Sequence, residues 1–475
     1  MGDDSTSSSA ERIATTLAAR LSDLPAGSRV ASTRSLAAEF GAGPVTVQQA
    51  MRILQARGRI EIRPGAGTFV LSGRSRRPVD RTWQTATLPS GIGTADTTPA
   101  ALADPPADAM AFHAGYPSVE LLPERLVRAA LTRAARGRSA MVRSSTLGDI
   151  GLREWFAAEL RDATPAEANP PSGRDVLITP GSQAALHAIF RAVGAGLPVV
   201  VESPTYWGAL MVLGTVGAQV VPIPSGPSGP DPDVLDRALA SSGARAFYAQ
   251  PNFANPTGAT WSALTRARVL DVVRRRSAFL VEDDWAHDFG IDEPSVPVAA
   301  SDDAGHVIYV RSLTKSVSPS IRVAAVIARG PIRDRILAGL TAEAMYVSPF
   351  LQAAALDVVT NPGWTTHRKT LSRLLRLRRD ELVASLRNAA PDLHITAVPR
   401  GGLNLWLQLP EGIPAPAVEA ACRSSGLLLS DGAAWFPAEA PGEYLRLNFG
   451  DAPPDRYREA AAIIQGAIAT VERTQ

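Results

Sequence analysis

Ser312-Leu313-Thr314-Lys315-Ser316-Val317-Ser318-Pro319-Ser320-Ile321-Arg322 contains one of only two lysines in a chain of 475 residues that carries 48 Lys plus Arg. The other is Lys369. Where positive charge alone is needed this sequence uses arginine, so a retained lysine points to a need for an amine. Arginine stays protonated, whereas a desolvated lysine can lose its proton and attack a carbonyl, which is the chemistry of a Schiff base. Lys315 sits among hydroxyl residues, and Arg322 follows seven positions later. That grouping suits a phosphate held beside an aldehyde. From this stretch alone, a plain surface lysine is the competing reading; the flanking sequence separates the two.

Outward from Lys315, short apolar runs alternate with helix-like stretches from about residue 109 onward, the pattern of an α/β domain. Asp175 to Thr179, Pro198 to Glu202, Gln219 to Ile223, Ala244 to Gln250, Ala278 to Asp283, His306 to Ser312 and Val323 to Arg329 read as strands of a mostly parallel, buried sheet. In such sheets ligands sit beyond the carboxyl ends of the strands, and several of these runs end in residues able to reach one. Gly181-Ser182-Gln183 opens a helix, where backbone amides and a hydroxyl can hold a phosphate. Tyr206, after Glu202-Ser203-Pro204-Thr205, is placed where it could stack on a planar ring, although taken alone such a tyrosine more often packs. In Asn252-Phe253-Ala254-Asn255-Pro256-Thr257-Gly258 a rigid turn fixes an amide. Glu282-Asp283-Asp284-Trp285 places acids at a strand end, where one buried carboxylate can keep a pyridine nitrogen protonated. Arg446, in Tyr444-Leu445-Arg446-Leu447-Asn448-Phe449, suits a bidentate grip on a carboxylate.

Each motif is common alone; their order and spacing over roughly residues 109–470 resemble the class I aminotransferases of pyridoxal phosphate fold type I. The resemblance implies pyridoxal 5'-phosphate as cofactor, an internal aldimine at Lys315, and Asp283 paired with the pyridinium nitrogen. It implies that Asn255 bonds the ring hydroxyl and Tyr206 stacks on the ring. Ser182, Gln183, Ser312, Thr314 and Arg322 would surround the phosphate, and Arg446 would receive the carboxylate of an amino acid. Two positions depart from the family pattern. Trp285 stands where relatives commonly carry a tyrosine, and an indole has no hydroxyl to offer the ring oxygen. Arg143 falls about where a neighbouring subunit often lends a tyrosine to the phosphate.

The N-terminal stretch is a different object. Residues 1–81 hold 12 arginines against 7 Asp plus Glu, so they carry +5 while the whole chain carries +2. A basic module on a nearly neutral remainder suggests a polyanion partner. Helical spacing covers Ala10 to Leu21; Ser32 or Thr33 caps a second helix through Phe40; a third runs from Pro44 to Arg57. Arg59 to Arg63 and Thr68 to Leu71 flank Pro64-Gly65-Ala66-Gly67 as a hairpin. Three helices and a basic hairpin make a winged helix-turn-helix.

Arg29-Val30-Ala31-Ser32-Thr33-Arg34, Val45-Thr46-Val47 and Gly65-Ala66-Gly67-Thr68-Phe69-Val70 resemble the GntR family of bacterial repressors. The resemblance implies that the third helix enters the major groove of double-stranded operator DNA with Thr46, Gln48 and Gln49 near its start. Arg34 and Arg52 would contact phosphates, and the wing with Gly67 would approach the backbone or minor groove. Gly43-Pro44 departs from the Ser-Arg frequent in that family.

The expected organisation is therefore a DNA-binding domain at residues 9–71, a flexible linker at 72–108, and an aminotransferase-like domain at 109–475. Within the last, a large sheet domain spans about 150–350 and a small subdomain about 360–475. This architecture is similar to the MocR subfamily of regulators. It implies a homodimeric transcription regulator that senses pyridoxal phosphate or an amino compound through aldimine formation at Lys315. A working aminotransferase that also binds DNA, and a regulator whose second domain is a cofactor-free dimerisation scaffold, are the alternatives. The single cysteine, Cys422, excludes intrachain disulfides and a cysteine-based metal cage, so no metal is expected. No apolar run reaches the roughly 18 residues of a membrane span, and an acidic, polar N-terminus is not a signal peptide. A cytoplasmic location is the expectation.

Overall fold

Apolar residues at helical spacing build the first unit. In the computed structural model, which describes residues 9–22, 24–71, 108–474 and a few single positions between 80 and 106, helix α1 (Ser9–Ser22) buries Ile13, Ala14, Leu17 and Leu21. Helix α2 (Thr33–Glu39) starts where the Ser32 hydroxyl accepts the Ser35 amide. Helix α3 (Pro44–Ala56) buries Val47, Ala50, Met51 and Leu54. Strands β1 (Ile60–Arg63) and β2 (Gly67–Val70) pair antiparallel, Ile60 opposite Val70 and Arg63 opposite Gly67. These faces close on one another as the core of the expected winged helix-turn-helix. The expected tether at 72–108 lies outside the described residues except at single positions. The chain divides into two compact units, residues 1–93 and 94–475.

The second unit begins with β3 (Met110–Ala111). All seven expected strands form: β4 (Val176–Thr179), β5 (Pro198–Ser203), β6 (Gln219–Gly226), β8 (Ala246–Ala249), β9 (Phe279–Asp284), β10 (Val307–Ser312) and β11 (Ala324–Ile327), with a two-residue β7 (Gly229–Pro230) at the edge. The sheet order is β4-β11-β10-β9-β8-β5-β6-β7. Strands β10, β9, β8, β5 and β6 run parallel, while β11 is antiparallel to both its neighbours. Alternating side chains are buried on both faces, as a sheet covered by helices requires.

A smaller sheet, β12 (His394–Ile395), β13 (Asn404–Gln408), β16 (Tyr444–Asn448) and β15 (Ser430–Asp431), lies among C-terminal helices. Its core includes Leu375, Leu403, Leu405, Leu447 and Ile464. Strand β14 (Leu427–Leu428) pairs with β3, so the first residues of the second unit join its C-terminal part. Among the described residues no helix is long and apolar enough to cross a membrane.

Candidate functional site

The parallel strands deliver their carboxyl ends to one cavity of about 360 Å³. It is lined by all nine residues expected to hold the cofactor: Ser182, Gln183, Tyr206, Asn255, Asp283, Ser312, Thr314, Lys315 and Arg322. A larger cavity of about 1160 Å³ lies elsewhere in this unit, among residues such as Pro224, Trp406 and Tyr444. It contains no lysine. The smaller cavity is therefore the candidate site, because the amine and the perturbed acid converge there.

Lys315 follows the end of β10 by three residues. Burial lowers its amine from 10.5 to about 8; Asp283 opposes that shift and Arg446 adds to it. The amine lies 4.2 Å from the centre of the Trp285 ring and 5.8 Å from that of Tyr116.

Three adjacent acids end β9, and strand alternation separates their tasks. Glu282 turns away and accepts the Val298 and Ala299 amides at 2.8 Å each. Asp284 is enclosed by Tyr309, His287 and Ser295. Only Asp283 lines the cavity. Its Oδ2 accepts from the Tyr248 hydroxyl at 2.9 Å and from Gln250 Nε2 at 2.8 Å. Its Oδ1 is buried without a partner. Burial raises its pKa, against the two donors and the Lys315 charge.

Asn255 presents a complementary group. Its Oδ1 accepts from Trp435 Nε1 at 3.2 Å and Asn404 Nδ2 at 3.5 Å, which leaves its NH2 as the group available to a ligand. The Thr314 hydroxyl is likewise buried and unpaired. Ser312 accepts the Thr314 amide at 3.1 Å.

At the start of the helix α4 (Ser182–Val193), Gly181 is the cap, with φ +93° and no side-chain capping bond. A Cβ there would lie 2.6 Å from Arg322 Nη2, so only glycine lets the guanidinium approach the open helix end. Gln183 lines the cavity with its side chain already engaged: Nε2 donates to the Gly208 carbonyl at 2.8 Å and Oε1 accepts from Tyr206 at 3.3 Å.

These features fit pyridoxal phosphate. The orphaned Asp283 oxygen suits a ring N–H, the Asn255 NH2 a ring oxygen, and the glycine-floored helix end with Arg322 a phosphate.

Arg446 does not line the cavity. It is buried, with a 1% exposure, on β16. Its guanidinium donates to the carbonyl oxygens of His113 and Ala114 and to Asn404 Oδ1, and burial lowers its pKa to about 10. Arg143 is exposed and outside the cavity of its own chain. Sequence reasoning did not find Leu102, Tyr116, Trp207, Met211, Gln250 and Pro319, which also line the cavity. Leu102 and Tyr116 arrive by packing from distant segments, whereas Pro319 lies in the Lys315 loop itself, Gln250 five residues before Asn255, and Trp207 and Met211 follow Tyr206 on one helical face.

In the first unit, Arg34, Gln48, Gln49 and Arg52 are exposed and Thr46 is half-buried. Gly43 caps α3 without a side-chain bond and Pro44 starts it. Gly67 has φ +116°, and a Cβ there would lie 3.0 Å from Arg29 Nε.

Residues 115–464 match the aminotransferase class I and II family, and residues 9–70 the gntR family of bacterial regulatory proteins. The 2-aminoadipate transaminase of Thermus thermophilus is 28% identical over 72% of this chain and 85% of its own length. A probable rhizopine catabolism regulatory protein MocR of Rhizobium meliloti is 26% identical over 94% of this chain and 91% of its own. Among solved structures, the α-aminoadipate aminotransferase LysN of Thermus thermophilus, complexed with N-(5'-phosphopyridoxyl)-L-leucine, superposes with a TM-score of 0.74 at 23% identity. That match covers 82% of this chain and all (100%) of LysN.

Proposed function

Because the chain belongs to the aminotransferase class I and II family and carries a gntR-family winged helix ahead of that domain, we propose that it is a MocR-type transcription regulator whose DNA binding answers to an amino compound at the Lys315 cavity. One observation carries the reading: a DNA-binding module and an amine-bearing, phosphate-ready cavity occupy a single chain, and the MocR relative spans both.

Pyridoxal phosphate supplies, when bound, an aldehyde that condenses reversibly with amines and a ring that withdraws electrons. Lys315, lowered to about 8, holds a usable fraction of free amine near neutral pH. Asp283 offers Oδ1 to a protonated ring nitrogen while Tyr248 and Gln250 hold Oδ2. Asn255 offers its NH2 to the ring oxygen. Ser182, Ser312, Thr314 and Arg322 would bind the phosphate, and Gln183 would act by fixing Tyr206. Arg446 has its Nη1 and Nη2 engaged with Asn404, His113 and Ala114 and its Nε–H buried without a partner, so Nε is the donor it would offer an effector carboxylate. An effector can shift the DNA modules only by binding one arrangement more tightly than another. An incoming amine that displaced Lys315 would change contacts at the cavity wall and so would supply such a difference.

The reading includes a homodimer on an operator of two half-sites. The test is the visible absorbance of the purified protein with pyridoxal phosphate, wild type against Lys315→Ala, followed by operator binding with and without amino compounds. A Lys315-dependent band and a shifted operator affinity are expected. No band in the wild type would sink the reading.

A second reading, a working aminotransferase that also binds DNA, is favoured by the likeness to the 2-aminoadipate transaminase. Lys315-dependent transfer of an amino group to an added 2-oxo acid would support it.

A further inference from the structure

We infer that Gln250 is a positioning residue whose one carboxamide ties together both residues that face the cofactor ring, bonding the Asp283 carboxylate and the backbone N–H of Asn255. This rests on the reading of the Lys315 cavity as a pyridoxal phosphate site.

Gln250 directly follows β8 and is 3% exposed. Its Nε2 donates to Asp283 Oδ2 at 2.8 Å, and its Oε1 accepts the Asn255 amide at 2.9 Å. The two partners dictate the orientation, since an ionised carboxylate only accepts and a backbone N–H only donates. A flipped carboxamide would oppose both. The residue is itself anchored: its backbone N–H donates to Glu202 Oε2 at 3.3 Å. Glu202 Oε1 in turn accepts from Ser225 at 2.7 Å and Trp261 Nε1 at 3.0 Å.

Two consequences meet at the ring. With Oδ2 occupied by Gln250 and Tyr248, Asp283 has one free oxygen, Oδ1, directed by exclusion to the ring nitrogen. With its backbone N–H held by Gln250 and its Oδ1 by Trp435 and Asn404, Asn255 has only its NH2 to offer. Trp285 has no hydroxyl for the ring oxygen, so the Asn255 donor has no tyrosine at that position to share the task. No other side chain among the described residues contacts both Asp283 and Asn255 by hydrogen bonds.

The test uses the full-length protein loaded with pyridoxal phosphate, and reads the cofactor dissociation constant from the visible band at several pH values. Gln250→Leu keeps the bulk and removes both bonds; cofactor affinity should fall about tenfold or more, as for loss of a bond to a charged group. Gln250→Glu carries a pH signature that a merely structural role would not. As a neutral acid it can still donate to Asp283 and accept from Asn255, so its affinity should lie within a few-fold of wild type in acid. As it ionises, two carboxylates face each other, and the ratio to wild type should widen about tenfold or more between roughly pH 6 and pH 9. If Gln250→Leu does not fold, the Gln250→Glu profile decides. A ratio that stays flat with pH in Gln250→Glu, or a Gln250→Leu affinity within twofold of wild type, overturns the inference. Absence of the band in wild type instead overturns the cavity reading on which it stands.

Discussion

The Lys315 amine sits 4.2 Å from the centre of the Trp285 indole. At that distance the ring face favours the protonated amine, by roughly 0.5–2 kcal/mol in a partly desolvated site. Trp285 thus works against the burial that lowers the Lys315 pKa. It also belongs to the core of the C-terminal part, beside Phe289 at 6.2 Å between centroids. Trp285→Phe removes only part of the buried ring and should cost less than truncation to alanine, yet lower the Lys315 pKa further, because phenyl is the weaker cation partner. Trp285→Ala should cost about 3–5 kcal/mol in chemical denaturation.

Lys315 itself sets a pH dependence. Its folded pKa of about 8 lies below its ordinary value of 10.5. The rate at which the cofactor-free protein captures pyridoxal phosphate should therefore rise with pH through a midpoint near 8, as free amine replaces ammonium. Between about pH 8 and 10.5 the unfolded chain binds the proton that the folded chain has lost, so Lys315 makes folded stability rise with pH across that window. Lys315→Met should remove this increment in thermal denaturation and abolish the absorbance band. A rate midpoint near 10.5 would contradict the buried, depressed amine.

Much of this site was readable because its chemistry is local. Lys315 and Arg322 share one loop and Gly181-Ser182 is a strand-to-helix turn, while Asp283 was singled out by the resemblance and strand alternation in the sheet gives the physical reason that separates it from Glu282 and Asp284. The strands were legible as apolar runs, and every expected one is present. Gln250 was not legible, since its task depends on β8 lying beside β9 with Ala249 opposite Glu282, which is a fact of pairing rather than of spacing. Leu102, placed by sequence in the tether, lines the cavity instead. Arg446 was read as the receptor of a carboxylate; its bonds to carbonyls of the segment entering the domain, between residues more than 300 positions apart, were not legible in the sequence.

That contact makes a third prediction. Arg446→Ala removes the donors to His113 O, Ala114 O and Asn404 Oδ1 together. The His113 carbonyl keeps the Ser430 hydroxyl and the Ala114 carbonyl keeps Asn448 Nδ2, so the cost lies in the lost bonds to a charged donor, about 1.5–3 kcal/mol each at most. A loss of about 2–4 kcal/mol in chemical denaturation is expected. If Arg446 also binds effector carboxylates, Arg446→Gln should weaken amino acids more than amines lacking a carboxylate, measured by the shift of the cofactor band.

The winged helix allows the last test, because its exposed residues divide by chemistry. Arg52 lies one turn along α3 from Gln48 and Gln49, and all three are exposed. A guanidinium that meets phosphate contributes to any sequence and releases counterions, whereas a glutamine carboxamide can read the N6/N7 edge of adenine. Arg52→Ala should therefore weaken binding to operator and to unrelated DNA alike, and reduce the slope of log affinity against log salt by about 1. Gln48→Ala and Gln49→Ala should leave that slope nearly unchanged and relax the preference at one or two base pairs, by about 1–3 kcal/mol each. Titrations of labelled operator and scrambled duplexes at several salt concentrations separate the outcomes. An unchanged salt slope with altered sequence preference in Arg52→Ala would move that residue from the phosphate backbone to the groove floor.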